Sequence, residues 1–276
     1  MQTEVSTGIM VETVELPSEA LQRTITINFY GPASNPADNQ LSLLLLNDGQ
    51  DIEAMGFDKM IAYLLQTETV APLLCVGIHC GEERLQEYGM ISSPDYKGRG
   101  AKAGAYSRFV LEELLPYIHE RYNQLVFKET AIAGFSLGGL SALDLAWNHP
   151  DLFSKVGVFS GSLWWRSKDR KDKDFNEAID RLMHGQIRQG KYEPGLKFFF
   201  QCGEQDEKED RNNNGVIDSI DDTIDLMREL QAKGWIEGKN MHYLQLPDGK
   251  HDIRSWAKAL PVFLKWGWRK RVVSNQ

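Results

Sequence analysis

The sequence predicts an α/β fold in which one mostly parallel central sheet carries helices on both faces. Three observations lead there. Short apolar runs at residues 41–46, 72–78, 130–135 and 196–200 have the length and the aliphatic or aromatic content of strands buried on both sides. Helical patterns fill the intervals between them, and an alternation of strand and helix builds a parallel sheet. Finally, a Gly-x-Ser-x-Gly string joins the run at 130–135 to the helix-compatible stretch SALDLAW, as a strand-to-helix turn would.

Taken in order, residues 23–30 alternate polar and β-prone side chains and read as a first strand, followed by strands at 41–46 and 72–78. The clearest helix puts Tyr106, Phe109, Val110, Leu114, Tyr117 and Ile118 on one stripe, with Pro116 as a point of kinking. Strands at 130–135, 155–159, 196–200 and 242–246 complete the sheet. Between them, residues 166–174 carry five basic and three acidic side chains, which demands a solvated loop or helix start over one sheet edge. No repeat and no Pro/Ser-rich linker breaks the pattern, so residues 1–276 are expected to form a single domain.

Composition narrows the function. With 39 acidic residues against 31 basic, the net charge of −8 repels a phosphate backbone and argues against nucleic acid as a partner. The longest aliphatic stretch, near residues 43–46, is far short of the roughly 20 residues of a membrane helix. Three cysteines without a CxxC pair rule out a disulfide scaffold and suit a reducing compartment. The first 17 residues show neither a basic start nor an apolar core, so a cytoplasmic location is expected.

In such a sheet, ligands gather at the carboxyl ends of the strands, which sorts the chemistry-bearing residues. Ser136, in TAIAGFSLGG, follows a strand and precedes a helix; Gly134 and Gly138 leave the space that a sharp turn at a serine requires. Ser136 is the candidate nucleophile, and the Leu137 amide, at a helix N-terminus, is placed to meet a developing oxyanion. Of the six histidines, His251 lies in a loop after the strand at 242–246 and is the candidate base. His79 also ends a strand, but it precedes the serine, whereas the chain order expected here is serine, acid, histidine.

The acid should follow the strand at 196–201. There Asp206 is preferred, with Glu204, Glu207 and Asp210 as alternatives in the same acidic loop. A second oxyanion amide is expected from Gln50 in Asn47-Asp48-Gly49-Gln50, a segment that also reads as a plain turn. Residues 210–221 fit a calcium-loop frame. Side-chain oxygens of Asp210, Asn212 and Asn214, the Val216 carbonyl, Asp218 through water and Asp221 would be the ligands, with Gly215 at the turn. The segment resembles dockerin-like loops, and its other reading is an Asn/Gly-rich turn capping a helix from 221 or 222 to 230. Trp164 and Trp165 are expected near the pocket mouth or in the core, and Arg166 beside them could draw an anionic substrate.

As a set, these residues resemble the putative-esterase family of α/β-hydrolases, which includes esterase D, enterochelin esterases, feruloyl esterases and mycolyltransferases. LLLLNDGQD, AGFSLGG, FSGSLWW, CGEQDE and DGKHDIRSW carry the resemblance across nearly the whole chain. It implies an α/β-hydrolase fold and hydrolysis of carboxylic esters by Ser136, Asp206 and His251, with oxyanion amides from Leu137 and Gln50 and no redox or organic cofactor. Lys250 stands where a second glycine is common, and the calcium-like insertion is not general in the family. Two other readings are acyl transfer on the same triad and a non-catalytic, calcium-dependent carbohydrate-binding protein.

Overall fold

The computed structural model describes residues 2–6 and 8–270. Among the described residues nine strands form one sheet: β1 (Gln2–Ser6), β2 (Ile9–Ser18), β3 (Arg23–Pro32), β4 (Gln40–Asn47), β5 (Leu73–Ile78), β6 (Val126–Phe135), β7 (Phe153–Phe159), β8 (Lys197–Gln205) and β9 (Met241–Lys250). Their spatial order is β1-β2-β3-β5-β4-β6-β7-β8-β9. From β5 to β9 every neighbouring pair is parallel, whereas β1, β2 and β3 run antiparallel to their neighbours.

The alternation of side chains along each strand divides the interior in two. In β4, Leu41, Leu43 and Leu45 face one core while Leu44 and Leu46 face the other. Likewise, Phe198 and Phe200 of β8 join the first core and Phe199 the second. The first is covered by residues 103–121 and by the helices Leu137–Asn148, Leu182–Gln189 and Asp218–Lys233. The second lies under the helices Phe57–Gln66 and Ile253–Trp268.

Three sequence expectations shift. The antiparallel strands β1 and β2 were not foreseen, since the N-terminal segment mixes acidic and apolar residues without a compact apolar run. At Pro116 the helix widens instead of simply kinking: residues Phe109–Leu114 form a π-helical turn ahead of it. Proline has no N–H and its ring crowds the carbonyl four residues back, and a wider turn accommodates both. The helix expected to start at 221 or 222 begins at Asp218 and runs to Lys233.

Candidate active site

Each strand of the parallel half ends at the same rim, and there the chain delivers its reactive side chains. Ser136 follows β6 immediately and precedes the helix Leu137–Asn148, with φ 54° and ψ −119°. A non-glycine residue is strained in that region, and the surroundings must hold it there. They do so through the backbone: the Ser136 N–H donates to the Phe159 carbonyl at 2.8 Å, and the Ser162 N–H donates to the Ser136 carbonyl at 3.0 Å. The flanking glycines are required by space. A methyl group at Gly134 would lie 2.3 Å from the Gly138 carbonyl oxygen, and one at Gly138 would lie 2.5 Å from Oδ2 of Asp48. The Ser136 hydroxyl itself lies 3.5 Å from that of Ser162.

Asp206 follows β8, where its Oδ2 accepts the Gly203 N–H at 3.0 Å. Its Oδ1 is enclosed with no hydrogen-bond partner among the described residues. Burial raises the Asp206 pKa above the ordinary carboxylate value, opposed by the Gly203 N–H, by the Ser160 hydroxyl and by His251. His251 follows β9 and precedes the helix Ile253–Trp268, whose first turn is capped by Asp252, accepting the Ser255 N–H at 2.9 Å. The residue is exposed, and its ring meets that of Trp256 in a T-shaped contact with centroids 5.3 Å apart. Burial on the protein side lowers its pKa, the Asp206 carboxylate opposes that, and Arg84 pushes in the same direction as burial.

Trp256 is the keystone between the loops, a role not read from the sequence, where the residue only closed the motif DGKHDIRSW. Its ring stacks on Phe135, the residue before Ser136, at 5.2 Å, and its Nε1–H donates to the Ser160 hydroxyl at 3.0 Å. A cavity of about 430 Å³ opens beside it, lined by His251, Asp252, Ile253, Arg254 and Trp256. His79, the other histidine at a strand end, is acted on by Glu15 and Glu53 after burial lowers its pKa. Neither carboxylate belongs to the loop after β8.

At the end of β4 the backbone turns sharply at Asp48, φ 60°, into the short helix Gly49–Ile52. Gln50 and Leu137 thus both lie in the first turn of a helix, where N–H groups lack intrahelical partners. Asp48 is buried, 1% exposed, and its carboxylate receives a two-pronged contact from Arg84, Nε to Oδ1 at 2.6 Å and Nη2 to Oδ2 at 2.8 Å. The same Nη2 lies 3.4 Å from the Phe135 carbonyl oxygen.

The expected substrate contacts divide. Trp165 has 0% exposure; its ring packs into the core against Gly89 and Gly100, and Nε1–H donates to the Ser93 carbonyl at 3.2 Å. It has no surface to offer a ligand, because only one of two neighbouring side chains can turn outward here. Trp164 is half-buried with the Arg99 guanidinium 4.6 Å above its ring. Together with Arg166 it lines a cleft of about 20 Å³ that also contains Arg170, Arg181 and Arg211 and shares no residue with the cavity beside His251.

The 210–221 loop closes on itself. Oδ1 and Oδ2 of Asp210 accept the Asn214 and Gly215 N–H groups at 3.1 and 2.9 Å, and Oδ1 of Asn214 accepts the Val216 N–H at 2.7 Å. The Asn212 and Asn214 side-chain amides both donate to Oδ2 of Asp221, at 2.8 and 3.0 Å. Asp218 departs from the expected ligand set: it opens the helix and is buried in ion pairs with Arg170 at 2.7 Å and Arg211 at 3.6 Å. Among the described residues no group of three or more His, Cys, Asp or Glu is arranged to hold a metal ion.

A family model described as putative esterase matches residues 18–266. A diacylglycerol acyltransferase/mycolyltransferase of Mycobacterium leprae is 33% identical over 160 residues, which take in 56% of this chain and 45% of that protein, less than half its length. Among solved structures, the enterobactin esterase of Shigella flexneri in the presence of enterobactin has a TM-score of 0.72 at 20% identity, over 96% of this chain and 59% of that chain. The siderophore hydrolase EstB of Aspergillus nidulans has a TM-score of 0.69 at 16% identity, covering 100% of this chain and 99% of that one. A ferulic acid esterase has a TM-score of 0.67 at 18% identity, over 93% and 96%. Likeness at these identities shows the fold, that of the α/β-hydrolase type. With the family model spanning all but the ends of the sequence, the chain belongs to the putative esterase family.

Proposed function

We propose that the chain hydrolyses carboxylic esters through an acyl-enzyme on Ser136. The observation that supports this most is the placement of Ser136, Asp206 and His251 directly after three parallel strands of one rim. The enclosed Oδ1 of Asp206 is an acceptor of the kind an imidazole N–H needs to fix its tautomer, with the Ser160 hydroxyl also acting on this carboxylate. His251, kept neutral, takes the Ser136 proton as Oγ attacks the ester carbonyl carbon, and returns a proton to the departing alcohol. Water, deprotonated by the same ring, then releases the acid and restores the serine. The Leu137 and Gln50 amides receive the negative charge that develops on the carbonyl oxygen in each tetrahedral intermediate.

The acyl and alcohol groups belong to a screen that includes feruloyl, catecholate siderophore and acetyl-sugar esters. Acyl transfer to a bound alcohol is the second reading, favoured by the 33% identity to an acyltransferase. Steady-state hydrolysis of para-nitrophenyl butyrate is the first test. Ser136→Ala and His251→Ala are each expected to lose on the order of 10⁴-fold or more in kcat, and Asp206→Asn somewhat less. Turnover by Ser136→Ala at the wild-type rate would refute the nucleophile.

Calcium is proposed for the 210–221 loop as a structural ion. Asp210, Asn212, Asn214, the Val216 carbonyl and Asp221 are the donors that would hold it; the three side chains already fold around Asp221 or the loop backbone. Asp218 is left out of this set because its ion pairs would have to break first.

A further inference from the structure

We propose that Arg84 is a positioning residue for the ester chemistry, tying the turn that carries the Gln50 amide to the strand end that carries Ser136. The proposal rests on Ser136 and His251 acting as nucleophile and base.

The geometry is that of a clamp. One planar guanidinium grips Asp48 through both carboxylate oxygens, at 2.6 and 2.8 Å, and reaches the Phe135 carbonyl with Nη2 at 3.4 Å. Phe135 directly precedes Ser136, and Asp48 lies two residues before Gln50, so the two walls of the proposed oxyanion site share one anchor. Asp48 is also wedged against the nucleophile helix, since its Oδ2 leaves no room for a side chain at Gly138. Its own N–H donates to the Tyr88 hydroxyl at 3.2 Å, and the Tyr88 ring lies beneath the guanidinium at 5.2 Å. Gln50 adds a further tie, its Oε1 accepting the Cys80 N–H at 3.1 Å. A bidentate fork fixes the rotation of a carboxylate where a single ammonium would not.

The charge has a separate effect. The charged groups that act on His251 are Asp206 from the end of β8, Asp252 from its own loop, and Arg84. Lys250 and Arg254 flank the ring in sequence and act on Asp252. Two carboxylates favour the imidazolium; burial and Arg84 favour the neutral ring that can accept the serine proton. Arg84 is therefore the cation that offsets them, and it remains charged because burial cannot outweigh its bond to Asp48.

The two effects separate experimentally. In the full chain, kcat, KM and the acid limb of kcat/KM with para-nitrophenyl butyrate are compared for wild type, Arg84→Lys, Arg84→Met and Arg84→Met with Asp48→Asn. Arg84→Lys keeps the charge and loses the fork. It is expected to lower kcat tenfold to a hundredfold, roughly the loss from small misplacements of catalytic groups, with KM within about twofold and the acid limb unmoved. Arg84→Met should lose at least as much and shift the acid limb to higher pH. The double variant removes the burial of an unpaired carboxylate, so it should melt near wild type while keeping the kcat defect. Wild-type kcat in a folded double variant would overturn the proposal, as would a loss confined to KM. Ser136→Ala assayed alongside keeps the underlying reading separate: activity surviving there sinks the triad, whereas its loss together with unaffected Arg84 variants sinks only the clamp.

Discussion

His251 concentrates the electrostatics of the site in one ring. Burial lowers its pKa from the ordinary 6.5, Asp206 works against that, and Arg84 reinforces it. A base must be neutral, and a lowered pKa keeps the ring neutral to lower pH, so activity should persist below 6.5 and fall as pH drops through the lowered value. A kcat/KM profile whose acid limb lies above 6.5 would contradict this balance. Trp256 gives a second residue-scale expectation. Trp256→Ala removes a ring shared by Phe135 and His251 and should cost about 3–5 kcal/mol in chemical denaturation. Trp256→Phe retains the ring contact and loses the bond to Ser160, for about 1 kcal/mol. Equal losses for the two would show that the indole is not packed as described.

Among the elements, those with a dense apolar pattern were legible and those defined by tertiary partners were not. Residues 41–46 and 72–78 lie within β4 and β5 to within a residue or two, because leucine and valine runs buried on both faces leave little choice. β2 escaped because Glu12 and Glu15 interrupt it; Glu12 is buried in the structure and ion-paired with Arg121, more than a hundred positions away. The acidic loop after β8 was read as one loop with four candidate carboxylates. Folding separates them: Asp206 turns back to accept the Gly203 N–H, Glu204 accepts from Gln245 at 2.8 Å, burial beside the Ser219 backbone raises the Glu207 pKa to about 6, and Asp210 turns into the calcium-like loop. Trp164 and Trp165 show the limit of local reading, since which of two adjacent rings turns inward depends on Gly89 and Gly100 making room. For the 210–221 loop, calcium is expected to raise the melting temperature measured by calorimetry, and chelation to lower it. Identical melting with and without the ion would remove calcium from the account.

At the scale of the molecule, the sheet turns three distant stretches of sequence into neighbours. β6, β8 and β9 are parallel and close in order, so the residues that follow them emerge on one rim, and the helix Ile253–Trp268 returns across the second core to seat Trp256 under that rim. The charge is unevenly spread: against a net −8, Lys197, Lys265, Arg269 and Lys270 gather around a depression of about 940 Å³ at the amino-terminal ends of β8 and β9, away from the reactive rim. The chain must make one serine nucleophilic among all those it contains. Reaction with a fluorophosphonate, followed by intact mass and peptide mapping, measures this directly. A single adduct on Ser136, absent from Ser136→Ala and formed far more slowly in His251→Ala, is the predicted result; an adduct on another residue, or labelling of Ser136→Ala at the wild-type rate, would contradict it.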